Sequence, residues 1–353
     1  MLFLLYEIGN TIFKKCVTLS PNRGCVMQAK TILPYIFFAL LLSSIVTPYS
    51  ISSYTPLQEK PLVVTTTSVL ASIVKDLAKD LVEVRYLVSP SMCPGHYDVK
   101  PGDIETIRSA DLILAHGMEW SRWLRELINS ANQTGDLKIP VYNITGAWNS
   151  PPLLKQRYTT IAQVLENTLG LDLSDRLNTC LESIDQTAQK LMDIANEEGF
   201  NDTPVVVMQW LVDYIEFLGF DIVAKYGPPE FLSTSDIIEI EQNATEYKAK
   251  LIIDNLHSGV DVGAKIAEDV GAVHVVLINF PEAIPGIGNV TQMMLYNARV
   301  LADGLIEYSM IEHINNLREE KEIWQYSTIG LLILLIIETL GLFMVIKRGS
   351  RVS

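Results

Sequence analysis

Cys93-Pro94-Gly95-His96-Tyr97-Asp98-Val99-Lys100-Pro101-Gly102-Asp103-Ile104-Glu105 is the stretch on which the reading of this chain turns. It follows Val82-Glu83-Val84-Arg85-Tyr86-Leu87-Val88, where apolar and polar residues alternate as in a half-buried strand. Pro94 and Gly95 break that strand and hold the next residue in a turn. His96 is therefore offered from a loop at the carboxyl end of a strand, the edge where open α/β sheets keep their ligands. Pro101-Gly102-Asp103 then opens a helix, with Asp103 as the expected N-cap and Ile104 and Ile107 on one face. A single loop histidine is also simply a solvated side chain, so the rest of the chain has to decide.

Outward from that stretch, strands and helices alternate. Val63 to Thr67 reads as a strand, and Ser68 to Leu81 as a helix with Leu70, Ile73, Val74 and Leu77 on one side. Asp111 to Ala115 is a short buried strand delivering His116-Gly117, followed by a helix over Trp120 to Asn129 and a strand over Val141 to Ile144. Such βαβα alternation implies a parallel sheet covered on both faces. Residues 153 to 198 carry apolar positions at helical spacing (Leu177, Leu181, Ile184, Ala188, Leu191, Ile194) and read as one long helix, open to a break near Gly170, joining two lobes.

The second lobe repeats the first. Val205 to Val207 is a strand ending at Met208-Gln209, and Leu211 to Leu218 a helix stopped by Gly219. Lys250 to Asp254 is a strand ending at Asn255-Leu256-His257, Val260 to Val270 a helix with Gly271 as its C-cap, and Val273 to Ile278 a strand ending at Asn279. Gln292 to Glu307 closes the lobe. The expected fold class is thus α/β: two lobes with parallel sheets joined by a long linking helix, plus a C-terminal transmembrane helix. The expected divisions are 1–50 leader and signal, 51–61 tether, 62–150 N-terminal lobe, 151–199 linking helix, 200–310 C-terminal lobe, 311–326 stalk, 327–346 transmembrane helix and 347–353 tail.

The chain has 353 residues and a formal net charge of −14, which argues against nucleic acid as a partner. Its mean hydropathy of +0.23 is raised by two apolar runs. Ile32 to Val46, after Lys30 and before Thr47-Pro48-Tyr49-Ser50, has the pattern of a secretory signal, for which Met27 would supply a conventional start; an uncleaved anchor is the rival reading. No cysteine follows that run closely, which disfavours a lipid anchor. Ile329 to Ile346, interrupted by Glu338 and Thr339, approaches the roughly 20 residues that span a bilayer. Lys347, Arg348 and Arg351 follow and predict a cytoplasmic C-terminus, with the ectodomain on the outer face of the cell membrane. Sequons at Asn132, Asn143, Asn201, Asn243 and Asn289 fit that topology and suggest a glycoprotein. Cys93 and Cys180 fall in the ectodomain, and their pairing stays open.

Over about residues 62–310 the chain resembles the metal-binding receptors of ABC importers, the zinc and manganese group with two lobes on a rigid linking helix. The resemblance is carried by Val63 to Leu70, Gly95-His96-Tyr97 with Pro101-Gly102-Asp103-Ile104, and Ala110 to Leu114. Further matches are Trp148 with Pro151, Lys250 to Ile253, Ile266-Ala267-Glu268 with Gly271-Ala272, and Met293-Met294 with Asn297. It implies a substrate-binding subunit, not an enzyme, that closes on a divalent transition metal, zinc or manganese. Cargo would pass to an ABC permease driven by a separate ATPase; the chain itself has no Gly-x4-Gly-Lys-Ser/Thr pattern.

The departures fall on the ligands. His96 matches the family's first histidine. The second would lie two residues before a tryptophan, where this chain has Gly146 before Trp148. The third falls on Met208 or Gln209, depending on whether Gly219 or Tyr214 sets the register. The later ligands fall on Asn255 and on Ile278 or Asn279. One histidine among amides cannot neutralise a divalent ion, since zinc takes about four N, S or O ligands. Other strand ends therefore enter the metal set: His96, His257, His116, Asp254 and Met208, with Gln209, Asn255, Asn279, Trp148 and Cys93 as further cleft-lining candidates. Met208 is also a natural core residue, and His274 and His313 read as plain surface positions. The second functional reading keeps the fold and loses the metal. The polar, largely uncharged cleft of Met208, Gln209, Asn255 and Asn279 would then suit a neutral solute, or the chain would be an accessory surface protein.

Overall fold

The computed structural model describes residues 59–349 apart from 118, 133, 134, 136 and 137. The signal segment, the tether up to residue 58, the last four residues and part of the Asn132 sequon lie outside the described residues. Both lobes and the helices between them belong to one unit, Lys60–Ser353.

The first lobe runs β1 (Leu62–Thr65), α1 (Ser68–Ala78), β2 (Glu83–Tyr86), α2 (Pro101–Arg108), β3 (Leu112–Ala115), α3 (Arg125–Ala131) and β4 (Val141–Asn143). All its strand pairs are parallel, in the order β2-β1-β3-β4. Two helices follow, α4 (Pro151–Leu169) and α5 (Ser174–Glu197). The second lobe runs β5 (Pro204–Met208), α6 (Val212–Phe217), β6 (Asp221–Tyr226), α7 (Thr234–Glu246), β7 (Leu251–Asn255), α8 (Asp261–Val270) and β8 (Val273–Leu277). Its order, β6-β5-β7-β8, again all parallel, repeats that of the first. In both sheets the strand order reverses beside the lobe's first strand, at β1/β3 and at β5/β7. Those are the crevices where such folds bind ligands.

Side-chain alternation along the central strands assigns each sheet an inner and an outer face. Val63, Leu112 and Leu114 from one lobe and Val205, Val207, Leu251 and Ile253 from the other share a single core with α1, α4, α5 and the start of α9 (Val290–Gly349). Val64, Ile113 and Ala115 face a separate outer layer with Ile107, Leu124 and Leu127. Val206, Met208 and Ile252 do the same with Ile240 and Ile266. Strands covered on both sides need no polar face, which is why they read as near-continuous apolar runs.

One local expectation, the break near Gly170, is resolved and three others are revised. The long linking helix is two helices: Gly170 adopts φ 68°, a left-handed conformation that ends α4, and α5 folds back so that Lys155 Nζ meets Asp185 Oδ1 at 2.7 Å. Asp103 is not the N-cap of α2 but sits one turn in, its carboxylate accepting the Lys100 N–H at 2.7 Å and the Tyr97 hydroxyl at 2.8 Å. The strand β6 and helix α7 were not foreseen. Finally, the closing helix, stalk and apolar segment form one continuous helix, α9. Its amino end is core, with Met293, Met294, Ala298 and Leu301 buried. Its later part exposes Ile329 to Ile337, and the stretch from Val290 to Gly341 is long and apolar enough to cross a membrane.

Candidate functional site

The carboxyl ends of both sheets face a cleft between the lobes, with a cavity of about 790 Å³. Its lobe-one wall is made by the Cys93 to His96 turn, His116, Arg122 and the Gly146 to Asn149 segment; its lobe-two wall by Gln209, Trp210, Asp213, Asn255, His257, Asn279 and Phe280. Pro228, Glu230 and Phe231 complete it.

His116 follows β3. Its Nε2 lies 2.7 Å from the Thr67 hydroxyl at the end of β1, so the two central strands of the sheet pin it from both sides. Its ring stacks on Trp148 with centroids 4.3 Å apart, and Trp148 in turn donates to the Asn279 carbonyl of the other lobe at 3.1 Å. Burial pushes the imidazole down to about 3, so it is neutral at physiological pH. Nδ1 is buried without a hydrogen bond of good geometry.

His257 follows β7 through a short turn, Leu256–Ser258. Asn255 Oδ1 accepts the His257 backbone N–H at 3.1 Å and lies 3.0 Å from the ring Nδ1. The other ring nitrogen reaches across the cleft to the Pro90 carbonyl at 2.7 Å. Burial lowers this imidazole to about 4, against the opposing pull of the Pro90 bond. Its ring and that of Phe280 meet in a T-shaped arrangement, centroids 4.7 Å apart.

Further bonds hold the lobes together: Asn149 Nδ2 donates to the Trp210 carbonyl at 2.7 Å, Ser68 Oγ to the Pro281 carbonyl at 2.7 Å, and Tyr86 OH to Glu282 at 2.9 Å. His96 stands at the rim, its side chain 61% exposed, 3.7 Å from Glu230 of the opposite lobe.

Of the residues chosen from sequence, His96, His116, His257, Gln209, Asn255, Asn279, Trp148 and Cys93 line the one cavity. Met208 and Asp254 do not. Period-two alternation puts Met208 beside Val206 in the outer core, wholly buried, where its sulfur accepts the Trp210 N–H at 3.4 Å. The same alternation turns Asp254 outward beneath the sheet. There Tyr226 OH donates to it at 2.6 Å and His274 Nε2 pairs with it at 2.8 Å. His274 is thus no plain surface residue, its side chain being only 22% exposed. Cys93 and Cys180 are both free. Among the described residues no three His, Cys, Asp or Glu side chains come together to hold a metal ion.

Sequence reasoning missed the walls Trp210, Asn149, Phe280 and Phe231. The legible signal was position alone: Trp210 follows a strand end, and Phe280 follows Asn279. It also missed Glu119, which is wholly buried behind His116. Burial raises its carboxyl above the usual range, against weaker support from the Thr66 hydroxyl and nearby backbone.

A sequence model described as the periplasmic component A of a zinc-uptake complex, ZnuA, matches residues 63–304. An uncharacterized protein of Rickettsia prowazekii is 25% identical over 237 residues, 64% of this chain and 73% of that one. The manganese ABC transporter substrate-binding lipoprotein PsaA of Streptococcus pneumoniae is 32% identical over 102 residues, 28% of this chain. That match spans only 33% of its own length. In fold, the chain is similar to the periplasmic zinc-binding protein TroA of Treponema pallidum, with a TM-score of 0.58 and 18% identity. That likeness covers 70% of this chain and 99% of the other.

Proposed function

The chain belongs to the ZnuA family of periplasmic zinc-uptake components, and from that premise we propose that it is the substrate-binding subunit of an ABC importer whose cargo is a divalent transition metal, zinc or manganese. The observation that carries this reading is the shared cavity: the carboxyl-end residues of two separate sheets, His116 from one and His257 from the other, line one space. A neutral imidazole carries one lone pair, the form in which histidine ligates metal, and burial keeps both rings neutral; to ligate cargo the His257 ring has to give up its contact with Asn255 Oδ1 or the Pro90 carbonyl. His96 at the rim would meet cargo first. The work of the chain is to bind, close and release. Hydrolysis of ATP and translocation belong to a separate ATPase and permease. The apolar part of α9 would hold the receptor at the membrane, with Lys347, Arg348 and Arg351 on the cytoplasmic side.

The test is the metal content of the full-length chain purified in detergent without added metal. We expect a transition metal to be retained by the native protein and lost from the His116→Gln, His257→Gln double variant, with an unchanged far-ultraviolet circular dichroism spectrum as the control for folding. A native chain that retains no transition metal overturns the reading.

A further inference from the structure

Resting on that reading of the cleft, we propose that the cargo enters as a metal ion already wrapped in a small organic chelate, and that the chain recognises the organic part as much as the metal. Four observations converge.

The first is size. A divalent ion with six waters fills about 200 Å³ at roughly 30 Å³ per water, whereas the cavity is about 790 Å³. That volume lies inside the range of roughly 300–1,000 Å³ typical of sites for small organic molecules.

The second is the donor count. With no three His, Cys, Asp or Glu side chains gathered among the described residues, the protein cannot fill the four positions that zinc demands. It can complete a coordination shell that a chelator has already partly filled.

The third is charge. The deep walls hold no carboxylate: beside His116 and His257 they are made by Trp148, Asn149, Asn255, Asn279 and Phe280. The charged groups bordering the cavity, Asp213, Glu230 and Arg122, are exposed at its edge; Glu230 already faces His96, and Arg122 donates to the Gly95 carbonyl. Moving a bare dication from water onto such walls carries a large desolvation cost that only counter-charge offsets. A chelate brings its counter-charge with it.

The fourth is the unused hydrogen-bonding capacity. Asn149 is 3% exposed and Asn279 5%, yet Oδ1 of each is buried without a hydrogen-bond partner among the described residues. Buried amide oxygens want N–H or O–H donors and are poor ligands for zinc, whose sites favour histidine nitrogen and cysteine sulfur. The amino groups of a chelating amino acid are such donors, and the half-exposed ring of Trp210 offers a flat apolar face for its side chain.

The test titrates the metal-stripped full-length chain in detergent, followed by tryptophan fluorescence, with zinc chloride, zinc plus two equivalents of L-histidine, zinc citrate and L-histidine alone. Titrations are compared at equal free-zinc activity. We expect at least one chelate to bind tenfold or more tighter than zinc chloride, with histidine alone binding no better than zinc chloride. Trp210→Ala, at a half-exposed position, should weaken the chelate about fivefold to tenfold. Failure of both chelates to exceed the free ion overturns the chelate and leaves the metal reading standing on its own purification test. Histidine alone binding as tightly as its zinc complex overturns the metal reading itself, and makes the cleft a site for an organic solute.

Discussion

The two lobes share a strand order and differ in what they bury at the ends of their strands. Thr65 pairs with Leu114 in the first sheet, and Val207 with Ile253 in the second. Carrying that register forward sets Ala115 against Asp254 and His116 against Asn255. The first lobe therefore offers its histidine directly from the strand end, anchored on Thr67 of the same lobe. The second offers an asparagine that holds a histidine two residues later, and that histidine grips the opposite lobe at Pro90. Each lobe also buries a carboxyl. Asp254 is fully partnered by Tyr226 and His274, whereas Glu119 has no hydrogen bond of good geometry to either oxygen. One topology thus supplies positions, and the residue at each position decides whether it serves the site, the closure or the stability of its lobe.

That contrast can be broken most sharply at Asp254. Asp254→Ala strands a buried tyrosine hydroxyl and an imidazole, and should cost about 3–5 kcal/mol in chemical denaturation of the full chain; a loss under about 1 kcal/mol would make the network ornamental. Acid comes next. His116 and His257 have folded values of about 3 and about 4, below the ordinary 6.5. The unfolded chain therefore takes up protons first, so their contribution is complete above pH 6.5 and is lost as pH falls toward the folded values. Between pH 6.5 and 5.5 the two together should remove about 2 kcal/mol, and the His116→Gln, His257→Gln double variant should flatten that slope.

His257→Ala sharpens the difference between the histidines. It removes a bond between lobes and should cost about 1–2 kcal/mol and widen the unliganded molecule in small-angle scattering; His116→Gln, whose partner lies in its own lobe, should leave the dimensions unchanged. The smallest effect is expected at Glu119. Its carboxyl already resists ionising, so Glu119→Gln should leave stability within about 1 kcal/mol of native or raise it at neutral pH, in contrast to the large loss expected from Asp254→Ala.

The fold was legible because its central strands carry apolar residues on both faces, as in Val205-Val206-Val207 and Leu251-Ile252-Ile253. The parts that escaped are edge elements. In β6 only Tyr226 is buried, and the half-covered Ile222, Val223 and Ala224 lie between charged Asp221 and Lys225. The turn at Gly170 was visible as a breaker, but whether a helix bends or folds back is decided by packing across the turn, as at Lys155 and Asp185. In the site, strand-end position found His116 and His257. It also chose Met208 and Asp254, because a strand end announces where the chain arrives and not which face the last side chain takes. Trp148 and Asn279 lie 131 residues apart and meet only in three dimensions, so no local motif announces the aromatic wall they build.

The most direct trial of a cargo held between the lobes is anomalous diffraction at the zinc edge from crystals of the full-length chain grown with zinc and L-histidine. The account predicts a single strong metal peak inside the cleft, bounded by His116 and Trp148 on one side and His257 and Phe280 on the other. Metal found only on the outer surface, with the cleft free of it, would contradict the account.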